Sequence, residues 1–209
     1  MKNSFSDAMG FRHACKAFDA TKKIPDEDMR YILEAGVKSP SSFGMEPWKF
    51  LVITNEDLKA KLKPACWNQA QIDSCSHLVV VLAAIESVKV ESGEVKKRFQ
   101  RREMSPEALD FYMKLYSDHL AATLSDDGNV YAWTAKQSYI AAANMMSAAA
   151  FIGVDSCPIE GFSKNEVEEI LELDATQYQL AMVLPFGYRI NPQPKQLRLG
   201  FDEVVEFVK

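Results

Sequence analysis

The residues best suited to chemistry in this sequence form short polar clusters that lie far apart along the chain. The first is Arg12-His13-Ala14-Cys15-Lys16, which stands between Phe11 and Phe18. An arginine fork suits a phosphate group, and a lysine ammonium suits negative charge on a reduced ring. Because apolar residues flank the segment, we expect its charges to be held in place. Taken alone, the segment is more typical of an exposed basic surface.

Amide side chains and an irregular backbone form the second group of clusters. Asn68 and Gln71 both donate and accept hydrogen bonds, as the edge of a flat heteroaromatic ring requires. Pro158 to Gly161 predicts a loop whose N–H groups can point at such a ring, and Gly161 permits close approach. Each of these segments alone also fits a helix cap or an ordinary connection.

A third cluster lies near the end of the sequence. Lys195 and Arg198 follow a proline-rich loop and would complement Arg12 as a second clamp on a phosphate. Taken singly, such a pair is more often exposed to solvent. A ring edge, a ring face and a phosphate clamp in one chain together predict a site for flavin mononucleotide (FMN).

Composition limits the other possibilities. Of the 209 residues, 47% are hydrophobic and 25% are charged, which predicts one soluble, ordered domain. The net charge of −5 argues against nucleic acid as a partner. The four cysteines form no C-x-x-C pair and no signal peptide is evident, so we expect free thiols in the cytoplasm. With three histidines and no paired-ligand spacing, no metal site is predicted.

Hydrophobic spacing places these clusters between elements of an α+β fold. It predicts helices near residues 3–10, 25–39, 55–62, 129–153 and from 163, and strands over 48–54, 78–84 and 179–187. The apolar run at 78–84 predicts a central strand buried on both faces. Residues 88–127 predict a charged helical excursion that Ser125 to Gly128 interrupts, and the Asp155–Phe162 segment predicts a loop.

Three further patterns bear on function. Residues 138–154 are too short and too interrupted for a membrane span, so we expect a buried helix there and no membrane partner. No glycine pair has the G-x-G spacing of a dinucleotide fold. The apolar tail at 201–208 must dock on another surface.

Taken together, the clusters resemble the nitroreductase family of FMN-dependent oxidoreductases. The resemblance covers nearly the whole chain, with several separate motifs in matching order. These motifs are Arg12-His13, Pro40-Ser41-Ser42, Glu46-Pro47-Trp48, Trp67-Asn68, Trp133-Thr134-Ala135-Lys136-Gln137, Pro158-Ile159-Glu160-Gly161, Phe186-Gly187-Tyr188-Arg189 and Pro194-Lys195.

The resemblance implies a nitroreductase-like α+β fold, with a central, mostly antiparallel sheet flanked by helices. It implies a single domain over residues 1–209 and an intertwined homodimer with two FMN sites at the interface. It further implies an enzyme that passes hydride from NAD(P)H through flavin N5 to nitroaromatics, quinones or free flavins by a ping-pong mechanism. The flavin, rather than a catalytic side chain, would carry this chemistry. The alternatives are an FMN-binding redox sensor without turnover, with Cys15 as reporter, and a scaffold without cofactor.

The resemblance also implies a role for each matching residue. It gives the phosphate to Arg12, Lys195 and Arg198, and the ring edge to Lys16, Asn68 and Gln71. It gives the ribityl side to His13 and Ala14, and the ring face to Pro158, Ile159, Glu160 and Gly161, with the N–H groups of Glu160 and Gly161 near N5 and O4. It brings Pro40, Ser41, Ser42 and Gln137 from the interface or the other subunit. Trp67, Phe111 and Tyr112 are candidates for the substrate pocket, although core packing explains them equally well.

Three positions depart from the pattern common in the family. Ala14 stands where many members have serine, Phe43-Gly44 where many have asparagine, and Gln71 where some have lysine. Without that lysine, the reduced ring would lose one cationic partner, which would lower the flavin potential.

Overall fold

The computed structural model describes residues 4–209, so the predicted helix start at Asn3 lies outside the described residues. The helices are α1 (Phe5–Phe11), α2 (Asp26–Val37), α3 (Glu56–Ala65), α4 (Gln71–Ser74), α5 (Glu94–Gln100), α6 (Pro106–Thr123), α7 (Asp127–Phe151), α8 (Lys164–Ile170) and α9 (Phe201–Val204). The strands are β1 (Trp48–Ile53), β2 (His77–Ala84), β3 (Asp155–Ser156) and β4 (Tyr178–Gly187). This is the α+β fold that the sequence predicts.

The sheet has the order β1-β2-β4-β3, and all three strand pairings are antiparallel. Every residue of β2 is buried. One face of β2 packs through Leu78 and Val80 against Leu62 of α3, whereas the other packs through Val79 against Met145 of α7. Helices therefore cover both faces, and the prediction of a doubly buried central strand is confirmed.

Local sequence signals set several helix ends. The side chain of Asn55 caps α3 by accepting the N–H of Leu58 at 2.8 Å, as predicted. Helix α7 stops at Phe151, and Gly153 follows in the left-handed conformation with φ +81°. The predicted glycine cap is therefore confirmed.

Two segments differ from the sequence prediction. Asp127 and Gly128 lie in the first turn of α7, because the Asp126 carboxylate caps that helix through the N–H of Asn129 at 2.8 Å. The break after α6 is therefore shorter than predicted. Asp155 and Ser156, predicted as loop, form the strand β3, which pairs with Phe186–Gly187 of β4. A two-residue strand is too short to show a hydrophobic period, so the sequence pattern could not predict it.

The helices α5 and α6 pack on a hydrophobic cluster of their own. Tyr116 is fully buried there and donates its hydroxyl to the carbonyl of Val88 at 2.6 Å. The ring of Phe43 meets the ring of Tyr116 edge-on at 5.1 Å. The helical excursion is thereby fastened to the loop that carries Ser41 and Ser42.

The apolar tail remains exposed in the single chain. Its large exposed side chains are Phe201, Val204, Val205, Phe207 and Val208, and Leu197 and Leu199 just before it are exposed as well. Across residues 4–209, no helix is both long enough and apolar enough to cross a membrane.

Candidate functional site

The short strand β3 brings two distant polar segments to one edge of the sheet. Ala14 forms a bridge with Ser156, and the N–H of Cys15 donates to the carbonyl of Ser156 at 3.1 Å. Beyond β3, Ile159 exchanges two backbone hydrogen bonds with Val183 of β4, at 2.9 and 3.1 Å. Backbone pairing alone therefore lays residues 12–16 beside the 158–161 loop.

Side chains complete what we call the ring-edge cluster: Lys16, Gln71, Cys157 and the loop of residues 158–161. The Nζ of Lys16 lies 3.6 Å from the Sγ of Cys157, and the Nε2 of Gln71 lies 3.8 Å from the same sulfur. Gln71 and Cys157 are buried, whereas Lys16 is exposed. Two of the three predicted ring-edge residues thus meet at one point, and the third, Asn68, is exposed and its side chain makes no hydrogen bond among the described residues.

The loop of the ring-edge cluster presents two unpaired backbone donors. On either side of them, the N–H of Ile159 donates to Val183 and the N–H of Phe162 donates to the carbonyl of Glu160. The N–H groups of Glu160 and Gly161 have no acceptor within residues 4–209. Two neighbouring N–H groups without an acceptor are suited to a ligand with adjacent acceptor atoms, such as the edge of a flavin ring.

Gln69, which the sequence reasoning missed, links the loop to the helix that carries Gln71. Its Nε2 donates to the carbonyl of Gly161 at 2.8 Å and to the carbonyl of Cys66 at 3.1 Å. Its Oε1 accepts from the Nε2 of Gln71 at 2.9 Å. One amide therefore holds both sides of the ring-edge cluster together.

Trp67 lies directly against Gly161. A Cβ at Gly161 would stand 2.8 Å from the indole ring, so only glycine fits without displacing it. Trp67 and Asn68 both have left-handed backbones, with φ 56° and 55°, and the indole is 67% exposed. The glycine thus permits the approach of a side chain of the same chain, which the sequence did not indicate.

Asp155 and Arg189 form an ion pair next to the site. The sequence reasoning missed this pair as well. Nε of Arg189 donates to Asp155 Oδ2 at 3.0 Å, Nη2 lies 2.6 Å from Oδ1, and the Arg189 N–H donates to Oδ2 at 2.9 Å. The guanidinium stacks 4.1 Å above the ring of Phe11. The Nδ1 of His13 lies 3.7 Å from Asp155 Oδ1. This pair joins β3, the end of β4 and the segment after α1.

The predicted phosphate contacts form what we call the cationic cluster: Arg12, Lys195 and Arg198. Gln193 and Gln196 donate from their Nε2 atoms to the carbonyl of Gly10, at 2.8 and 3.1 Å, which fastens the segment of Lys195 beside Arg12. Lys195 is exposed, and Arg198 donates only to the carbonyl of its neighbour Leu197 at 2.6 Å. The side chains of Gln193 and Gln196 hold the segment of Lys195 beside Arg12, but no described contact fixes the charged groups of the cationic cluster on one another.

A cleft of about 250 Å³ lies beside Lys16 of the ring-edge cluster and reaches Pro194, the residue before Lys195. Its lining residues are His13, Ala14, Cys15, Lys16, Ala17, Arg189, Asn191, Pro192 and Pro194. Among the described residues, no group of three or more histidines, cysteines and carboxylates is placed to hold a metal ion.

The sequence model of the family described as "Nitroreductase family" matches residues 9–188 of this chain. The chain belongs to the nitroreductase family. A Bacillus subtilis relative named "Putative NAD(P)H nitroreductase YfkO" is 38% identical over 225 residues, which cover 100% of this chain and 99% of the relative. A Haemophilus influenzae relative named "Putative NAD(P)H nitroreductase" is 42% identical over 206 residues, which cover 94% of this chain and 93% of the relative. The chain is thus an oxidoreductase of the nitroreductase family.

Solved structures show the same fold. The Bacillus subtilis protein ydfN matches with a TM-score of 0.86 at 21% identity and covers 98% of both chains. A protein of Exiguobacterium sibiricum, named as "a putative nitroreductase in complex with FMN", matches with a TM-score of 0.83 at 24% identity, covering 98% of this chain and 97% of its own. At such identities the likeness concerns the fold.

The residues that the nitroreductase resemblance assigns to the interface lie apart from the ring-edge cluster. The N–H of Ser42 donates to Oε1 of Gln137 at 2.9 Å, and Ser41 Oγ accepts from the N–H of Glu46 at 2.7 Å. Pro40 is exposed. No contact within residues 4–209 joins this group to the ring-edge cluster, so a contribution to the site of a second subunit stays a prediction.

The three aromatic residues predicted for the substrate pocket are not assembled within the described chain. Phe111 and Tyr112 lie on α6, where their rings contact each other at 5.7 Å and Tyr112 contacts Phe99 at 5.9 Å. Trp67 lies by the loop at Gly161 and has no ring contact with either. Their role as one pocket wall stays a prediction.

The thiols beside the site are poorly suited to sensing. Cys15 is buried, and that burial raises its pKa to about 11. Burial also raises the pKa of Cys157, against the opposing effect of Lys16. At neutral pH both thiols stay protonated and are weak nucleophiles. This environment speaks against the alternative in which Cys15 reports oxidation.

Proposed function

We propose that this protein is an FMN-dependent oxidoreductase that transfers hydride from NAD(P)H to nitroaromatics, quinones or free flavins by a ping-pong mechanism. The observation that carries the proposal is the pair of unpaired N–H groups at Glu160 and Gly161, next to the ammonium of Lys16 and the amide of Gln71. The names of the relatives as NAD(P)H nitroreductases, and the FMN named for a protein of the same fold, support it.

The chemistry that FMN supplies when bound is the transfer of two electrons from NAD(P)H to an oxidised acceptor. For the ring, the chain offers the ammonium of Lys16, which stabilises negative charge, and the N–H groups of Glu160 and Gly161, which donate to ring acceptors. For the phosphate, it offers Arg12, Lys195 and Arg198. The chain thereby orients the reaction by binding, without a side-chain acid or base.

We propose further that two copies form an intertwined dimer. Tyr31 on α2 and Ile140 on α7 have exposed apolar side chains, as does the apolar tail at 201–208. Together they offer a surface for a second copy. Ser42 and Gln137 would then serve the partner's site. Gel filtration with light scattering measures the oligomeric state. A monomer that retains FMN would contradict the proposed dimer.

The test of function is the visible spectrum of the purified protein, followed by anaerobic addition of NADH or NADPH. We expect a flavin spectrum, or its appearance after added FMN, that bleaches with a nicotinamide nucleotide. A protein that takes up no FMN would overturn the proposal. If the protein consumes NAD(P)H in the steady state no faster than free flavin does, it binds flavin without catalysing turnover.

A further inference from the structure

Tyr139 on α7 contacts the ring-edge loop at Glu160, next to the Gly161 carbonyl that Gln69 holds. Its hydroxyl donates to Oε1 of Glu160 at 2.6 Å and lies 3.4 Å from the carbonyl of Ala181 on β4. The short distance and the carboxylate acceptor mark a charge-assisted hydrogen bond. Glu160 itself is exposed, so nothing but this contact holds its side chain among the described residues.

The loop is otherwise held at its ends and at two carbonyls, those of Gly161 and of Glu160, the second of which accepts the N–H of Phe162 at 3.0 Å. Ile159 is paired with Val183, the N–H of Ser163 donates to the carbonyl of Ala65 at 2.7 Å, and Gln69 holds the carbonyl of Gly161. The peptide between Glu160 and Gly161 is held by the single bond from Phe162 to the Glu160 carbonyl, and once that bond opens, glycine has no Cβ to restrict rotation. Rotation of that peptide would turn the N–H of Gly161 away from its present direction.

We infer that Tyr139 is a positioning residue, whose hydrogen bond to the Glu160 side chain steadies the turn from Glu160 to Phe162 and so keeps the unpaired N–H of Gly161 in the direction in which it meets the FMN ring. The inference rests on the proposed function. It adds a residue on α7, 21 positions from Glu160, to those that determine flavin binding. Burial and the bond to Glu160 raise the pKa of Tyr139, so its hydroxyl remains a donor at neutral pH.

The chain contains a matched control, Tyr131, on the same helix. Its hydroxyl donates to the carbonyl of Leu180 on β4 at 2.8 Å, and both tyrosines line one cleft on α7. Tyr131→Phe removes a hydroxyl bound to β4 without touching Glu160. A difference between Tyr139→Phe and Tyr131→Phe therefore reports on Glu160.

The first measurement is amide hydrogen exchange on the FMN-free protein, followed by mass spectrometry of peptides that cover residues 157–163. We expect Tyr139→Phe to speed exchange in this segment, and Tyr131→Phe to leave it unchanged. We also expect Tyr139→Phe to weaken FMN binding about fivefold, the usual loss for one hydrogen bond. Equal exchange and equal FMN affinity in the two variants would overturn the inference.

A double-mutant cycle separates positioning from general destabilisation. Tyr139→Phe combined with Glu160→Ala should bind FMN no more weakly than Glu160→Ala alone, because both remove one interaction. Glu160→Gln, whose amide oxygen still accepts from Tyr139, should recover most of the affinity. Additive losses in the double variant would overturn the inference. If the wild-type protein binds no FMN, the proposed function fails, and the exchange comparison still decides whether the contact orders the loop.

Discussion

The ring-edge cluster and the cationic cluster differ in how the chain holds them. In the ring-edge cluster, the buried Gln71 and Cys157 meet Lys16 through side-chain contacts, and β3 ties the loop to the sheet. In the cationic cluster, the exposed Lys195 and Arg198 have no described contact with Arg12, and only the neighbouring side chains of Gln193 and Gln196 fasten their segment. The fold thus builds the proposed ring side in advance, whereas the proposed phosphate side offers charges that an anion must draw together.

The largest expected effect comes from breaking the ion pair below both clusters. Asp155→Asn leaves the guanidinium of Arg189 without its carboxylate, so the free energy of unfolding should fall by about 3 kcal/mol. Urea denaturation measures this. The control is Glu34→Gln on α2, whose partners Arg30 and Lys38 are exposed and whose loss should cost under about 1 kcal/mol. If both substitutions lower the free energy of unfolding equally, the Asp155–Arg189 pair does not stabilise the edge of the sheet.

The cationic cluster should respond in the opposite way. Arg12→Ala and Lys195→Ala should each raise the Kd for FMN about tenfold or more, because each removes a charged partner of the phosphate. The free energy of unfolding should change by less than about 0.5 kcal/mol for the exposed Lys195. Fluorescence titration gives the Kd, with Lys22→Ala as a control for an exposed cation paired with Asp19. An unchanged Kd in Arg12→Ala and Lys195→Ala would remove these residues from the phosphate site.

The smallest effect concerns the burial of Cys15 beside Lys16. Burial raises its pKa from 9.0 to about 11, so between these values the unfolded chain loses the thiol proton while the folded chain keeps it. The free energy of unfolding should therefore fall as pH rises through this range, by about 1 kcal/mol at pH 10. Cys15→Ala should lose this part of the pH dependence. The same slope in both proteins would show that the thiol is accessible to solvent when folded.

Sequence reasoning succeeded where a pattern is local. The apolar run 78–84, the Asn55 cap and the glycine at 153 each have a signature within a few residues, and each prediction is confirmed. The family motifs also suggested which polar segments to compare. Their roles in binding FMN stay predictions.

The contacts that organise the candidate site were not predictable in this way. Gln69 meets Gly161 across 92 positions, and Arg189 meets Asp155 across 34. An isolated glutamine or aspartate has many possible partners, and only the packed sheet selects one. The same holds for Tyr139, which its sequence neighbours mark simply as part of a hydrophobic helix.

The bonds from Gln193 and Gln196 to Gly10 span 183 and 186 positions of the chain. During synthesis, domains fold as the chain leaves the ribosome, with the N-terminal part appearing first. The carbonyls of Gly10 and Arg12 therefore gain these partners only when residues 193–196 have emerged. On the proposed assignment of Arg12 and Lys195 to the phosphate, FMN would bind only after residues 193–196 have been synthesised and have paired with this segment.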